Sequence, residues 1–190
     1  MDLWTQFITG DRKAFKELME THVGPLFKYG IKFCREEELV RDTIQDLFIR
    51  LWERREHLST EANAKAYLFA SLRRMLFRKI QKQPDTVPYD NLEDAVNFFS
   101  MEISVEQRFI SDERLRFVEQ QMKMKIAALP TRQKEVIYLK FFMDMNREQI
   151  SNIMQISPQT VSNLLQNALK KLRTDLRLIL MNLLFFLKKK

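Results

Sequence analysis

Amides and hydroxyls gathered on one short segment are the side chains in this sequence best placed to do chemistry, and that chemistry is hydrogen bonding. Gln159, Ser162, Asn163, Gln166 and Lys170 recur at the spacing of a single helical face, with Asn167 beside it and Thr160 in the first turn. Such groups donate and accept together, which is what reading base edges in a DNA major groove requires. Behind them Val161, Leu165, Ala168 and Leu172 recur at i, i+4, i+7 and i+11 as a face to be buried. Bond-making chemistry has no comparable set of residues. There is no Gly-rich phosphate loop, nucleophile motif or metal-ligand cluster. Cys34 is the sole cysteine, and His22 and His57 are solitary, so no cofactor, metal or enzymatic activity is expected.

The elements that must carry this face are written out locally. Leu129 to Leu172 reads as three helices. Asn146 is a cap with Gln149 completing a capping box, and Ile150, Ile153 and Met154 form the inner side of the helix that follows. Only Gln155-Ile156-Ser157 separates it from the next helix, where Ser157 caps and Pro158 suits the first helical position. A connection that short forces the sharp angle of a helix-turn-helix. A supporting helix from about Ser111 places Leu115, Val118, Met122 and Ile126 on one side.

The chain is 190 residues long, 45% hydrophobic, with 3 Gly and a formal charge of +7, so an all-α fold and a polyanionic partner are expected. Asp11 follows Gly10 at a helix start, Gly24-Pro25 should break that helix, and Pro25 should open a second one through Phe33. From Leu39 a core stripe runs through Val40, Ile44, Leu47, Phe48 and Leu51, and another face shows Asp42, Gln45, Asp46, Ile49 and Glu53. An exposed Ile among acids and an amide suits a protein-docking surface. Thr60 is read as the cap of a helix beginning near Glu61. From there to Pro84, Lys65, Arg73, Arg74, Arg78, Lys79 and Lys82 meet no acid after Glu61, and Tyr67, Phe69 and Phe77 interleave with them. Basic groups with aromatic faces can hold unstacked DNA bases, although at least half of these aromatics belong in a core. Residues 85–106 reverse the charge and read as a linker. No secretory signal is expected at the N-terminus, and the apolar segment from Leu176 to Leu187 is too short to cross a bilayer.

The segment DTIQDLFIRLWERR, Asp42 to Arg55, resembles the D-x-x-Q-[DE]-x-F-x-x-LW signature in region two of extracytoplasmic-function sigma factors, the promoter-recognition subunits of bacterial RNA polymerase. GDRKAF near the start and AYLFASLRR later fit the same family. The resemblance implies two small helical domains: region two over 1–83, an acidic linker over 84–110, and region four over 111–190 with an apolar helical extension. It implies a cytoplasmic protein with core RNA polymerase, through the β′ clamp helices and the β flap, promoter DNA and an anti-sigma factor as partners. No small-molecule substrate is expected, and membrane contact is only indirect. Asp42, Gln45, Asp46 and Ile49 would dock on polymerase. Lys65, Phe69, Arg73, Arg74, Phe77, Arg78 and Lys79 would bind the minus-ten element, and the helix from Pro158 would read the minus-thirty-five element. Two departures stand out: relatives often have Arg-Asn at Arg73-Arg74, and commonly Gly at Gln155. A stand-alone helix-turn-helix regulator and a membrane-peripheral helical adaptor are the alternatives.

Overall fold

The computed structural model describes residues 2–82 and 113–187. The described residues are helical, with no strand among them. In the N-terminal half α1 spans Leu3–Ile8, α2 Arg12–Gly30, α3 Glu37–Glu53 and α4 Ala64–Gln81, with a single 3-10 turn over Arg55–His57. In the C-terminal half α5 spans Glu113–Ala127, α6 Thr131–Phe141, α7 Arg147–Met154 and α8 Pro158–Leu187. The all-α class and the two helical units match the sequence expectation. The acidic linker expected over 84–110 lies outside the described residues.

Local signals explain most helix starts. Asp2 and Asp11 cap α1 and α2, the latter accepting from Lys13 N at 2.7 Å. At α7 the Asn146 and Gln149 side chains bond each other's backbone reciprocally, both at 2.8 Å. The Ser157 hydroxyl accepts from Thr160 N at 3.1 Å at the head of α8. The α3 stripe is buried throughout, at Val40, Ile44, Leu47, Phe48 and Leu51. Each such side chain contributes about 1.5–3 kcal/mol of burial.

Two expected boundaries are corrected. Pro25 does not start a new helix; it sits inside α2, which runs unbroken to Gly30. Leu18, Leu26 and Tyr29 are all buried along this one helix, and their common packing outweighs the backbone hydrogen bond that proline removes. Gly30 explains how closely α2 can approach its neighbours, since a Cβ there would lie 2.6 Å from Val40 Cγ1. The second correction concerns α4, which starts at Ala64 with Asn63 as its cap, bonded to Ala66 N at 2.9 Å, and not near Thr60. The sequence reading also missed α1, whose Trp4 and Phe7 are buried, with the Trp4 indole donating to the Ser59 carbonyl at 2.9 Å.

The two halves share one apolar cluster, with α4 packed on α7. Tyr29 and Tyr138 stack across this junction with centroids 6.2 Å apart.

Candidate nucleic-acid interface

The reading face of α8 stands out from the core on a helix whose rear is fixed. Val161 and Ala168 are fully buried and Leu172 nearly so, while Leu165 is only half-buried. Gln159, Asn163, Gln166, Asn167 and Lys170 are exposed, and Thr160 and Ser162 are intermediate. Gln159 Nε2 donates to Asn163 Oδ1 at 3.1 Å, which orients one amide against the other. Ser162 donates to the Pro158 carbonyl at 3.2 Å. The turn before this helix is held by Gln155 at φ 53 and ψ 48, the left-handed conformation that favours glycine, and by Ser151 Oγ donating to the Ile156 carbonyl at 2.5 Å. The chain therefore keeps the turn geometry with a strained residue.

On α3, Asp42, Gln45 and Ile49 are exposed and Asp46 is intermediate. Ile49 retains 49% of its surface and borders an apolar groove of about 550 Å³ between α2 and α3, floored by Phe15, Met19, Phe27, Phe48 and Trp52. Asp46 is not free of partners: Lys79 Nζ donates to its Oδ2 at 2.7 Å, joining an expected docking residue to an expected DNA residue.

The basic residues of α4 divide between two sides. Arg74 and Arg78 line a second groove, of about 260 Å³, between α3 and α4. Arg50 and Arg54 line it from α3, with Tyr67 and Ser71 completing the polar wall. Among the described residues none of these four arginines pairs with a carboxylate, so the groove concentrates positive charge. Arg73 and Lys65 turn the other way. Arg73 is buried and donates from Nε to Glu135 Oε1 at 2.8 Å and from Nη2 to Oε2 at 3.3 Å. Lys65 donates to the Met143 carbonyl. Phe69 and Phe77 are buried in the core, so in this arrangement neither presents a ring to DNA, and Arg73 packs over Phe77 at 4.8 Å. Tyr67, half-exposed, is the aromatic that reaches the arginine groove.

Sequence reasoning thus missed Arg50, Arg54 and Ser71. The signal was present as two i,i+4 arginine pairs, Arg50/Arg54 and Arg74/Arg78, which project ladders of charge from successive helices. Among the described residues no cluster of metal ligands occurs, and no helix is long and apolar enough to cross a membrane.

A helix-turn-helix with an exposed amide face, tied to a helical unit carrying an arginine groove, defines a DNA-binding protein of two helical units. Comparison with family models matches sigma-70 region 2 over residues 18–84 and sigma-70 region 4 over residues 119–172. The structure of CnrH in complex with the cytosolic domain of CnrY is similar at 20% identity and a TM-score of 0.59, covering 92% of this chain and 95% of that one. The sigma factor RpoE from Bartonella quintana, solved with the anti-sigma factor NepR, is similar at 20% identity and a TM-score of 0.58, covering 87% of this chain and 98% of that one. No curated protein sequence matches significantly. The chain belongs to the sigma factors of RNA polymerase, of the extracytoplasmic-function type, and directs promoter-specific initiation of transcription. In that family the factor initiates transcription without being an enzyme.

Proposed function

We propose a division of labour in which α3 docks on polymerase, the arginine groove holds the minus-ten strand, and α8 reads the minus-thirty-five element. Asp42, Gln45, Asp46 and Ile49 engage the β′ clamp helices, and the apolar groove beside Ile49 takes an apolar side chain of the partner. Arg74, Arg78 and Lys79, joined by Arg50 and Arg54, contact phosphate while Tyr67 stacks on an unpaired base. Gln159, Thr160, Ser162, Asn163, Gln166, Asn167 and Lys170 meet the upstream duplex, and the region-four half meets the β flap. The boundaries are 1–83 for region two, 84–110 for the linker and 111–190 for region four. The protein works in the cytoplasm, performs no chemistry of its own, and is held in check by an anti-sigma factor.

The observation that carries this reading is the groove between α3 and α4, where four arginines and a tyrosine converge within the span matched by the region 2 model. Its test is reconstitution of the purified chain with core polymerase and a library of promoter fragments, with transcript starts mapped. Initiation at discrete promoters that vanishes when Arg50, Arg54, Arg74 and Arg78 are replaced by Gln, while core binding persists, is the expected result. Binding to duplex DNA without conferring initiation would instead identify a stand-alone regulator.

A further inference from the structure

Tyr67 stands in the first turn of α4, just after the exposed residues Ser59, Thr60 and Glu61, where a ring would turn freely unless something held it. Helix α1 holds it. The Trp4 indole packs against the Tyr67 ring with centroids 5.7 Å apart and planes at 52°, and its Nε1 donates to the Ser59 carbonyl at 2.9 Å. One side chain therefore grips both the loop that leads into α4 and the ring that lines the arginine groove. The loop closes around the same atoms. Ala62 N also donates to the Ser59 carbonyl at 3.3 Å, the Ser59 hydroxyl accepts from Glu61 N at 3.2 Å, and the Asn63 carbonyl accepts from Tyr67 N at 2.9 Å. With six residues α1 is too short to be stable as an isolated helix, so its order comes from packing: Phe7 stacks on Phe15 at 5.6 Å, and Trp4 rests on Phe7 at 5.4 Å.

We propose that Trp4 is a positioning residue for capture of the minus-ten strand, holding the Tyr67 ring and residues 58–63 in the geometry that stacks an unpaired base. The proposal rests on the assignment of Tyr67 to that base. Trp4 keeps 3% of its surface, so it does not meet the strand itself; it acts through Tyr67, which stays partly open to solvent and lines the groove. A ring fixed in advance loses no rotamer freedom when a base stacks on it, so more of the stacking energy is returned as affinity. The arginines and the ring then contribute in separable ways. Attraction between guanidinium and phosphate depends steeply on salt and is indifferent to how Tyr67 is turned, whereas stacking depends on the ring's orientation and little on salt. Trp4 lies upstream of residue 18, where the region 2 match begins, so this support for the groove comes from outside the matched span.

The test uses the full chain as holoenzyme, titrated with a fork whose minus-ten non-template strand is unpaired and carries 2-aminopurine at each unpaired position in turn. Trp4→Phe keeps a ring in the core and removes the N–H. It should weaken fork binding about three- to fivefold, relieve the stacking quench at the position that Tyr67 meets, and leave the salt slope as in wild type. Tyr67→Ala should weaken binding by at least about fivefold and abolish that quench. Adding Trp4→Phe to Tyr67→Ala should cost less than about a further twofold, because the route from Trp4 to the base is already cut. Should Trp4→Phe fail to fold by circular dichroism, benzothienylalanine at residue 4, which has the shape of the indole without its N–H, takes its place with the same expectations. Wild-type affinity and quench in the Trp4 variant, or an equal loss with and without the Tyr67 ring, would overturn the positioning role and leave the groove assignment standing. Tyr67→Ala that bound and quenched as wild type does would overturn the assignment of Tyr67 to the base, and the positioning role with it.

Discussion

Replacing Arg50, Arg54, Arg74 and Arg78 together by glutamine tests the groove quantitatively. Arg50, Arg54 and Arg78 are exposed and Arg74 is half-buried, so glutamine leaves the apolar packing of α3 on α4 in place. Each phosphate neutralised on a single strand contributes about 0.7 to the slope of log affinity against log salt, so four arginines together contribute about 3. Raising salt fourfold should therefore weaken wild-type binding by about 50-fold more than it weakens the variant. The assay is holoenzyme binding to a fork whose minus-ten non-template strand is unpaired, titrated at several salt concentrations, with a duplex lacking the unpaired strand as control. A variant with the wild-type slope, folded by circular dichroism and still bound to core polymerase, would mean that the four arginines meet no phosphate and that the strand runs elsewhere.

Four further substitutions separate the reading face of α8 from the backbone and packing that support the fold. Asn163→Ala or Gln166→Ala should alter preference at particular upstream base pairs by about 1–3 kcal/mol with little change in melting temperature, read by selection of bound sequences beside thermal melts; selection as stringent as wild type would move the reading face to other residues. Gln155→Gly should stabilise the protein by up to about 1 kcal/mol, because the left-handed strain at φ 53 disappears, and a lower melting temperature would show that the Gln155 side chain contributes more than the strain costs. Gly30→Ala should destabilise by about 1–3 kcal/mol, since the new methyl meets Val40 Cγ1 at 2.6 Å in a close-packed junction; wild-type stability would show that the α2–α3 contact yields freely.

Features encoded within a turn or two of helix were legible from sequence alone. The Asn146–Gln149 box, the Ser157 cap and the α3 stripe each depend on neighbours three or four residues apart, and each has the expected form. Where a distant element decides, local reading failed. Pro25 is a helix breaker by local rule, yet Leu26 and Tyr29 bury on the same helix as Leu18 and carry it through. Thr60 and Asn63 are both acceptable caps, and the packing of Ala66, Leu68 and Phe69 selects Asn63. The basic run of α4 looked like one surface, but consecutive residues of a helix point about 100° apart, so Arg73 and Arg74 face different partners. The partner of Arg73 lies 62 residues away. A hint was available in Glu135 itself, an acid set directly before the apolar run Val136 to Leu139, because a carboxylate in a core stripe calls for a buried cation.

The Asp46–Lys79 bond has a consequence for assembly. Polymerase and promoter are each assigned one member of this pair, and in the free protein the two charges satisfy each other at 2.7 Å. Whichever partner arrives first must break the bond, and it thereby releases the other member for the second arrival. Docking and DNA binding are then thermodynamically linked with positive sign, and by reciprocity each tightens the other by the same factor. A partly exposed pair is worth at most about 1 kcal/mol, so this linkage is limited to about fivefold. It biases the factor toward binding promoter as part of the holoenzyme and away from binding it alone.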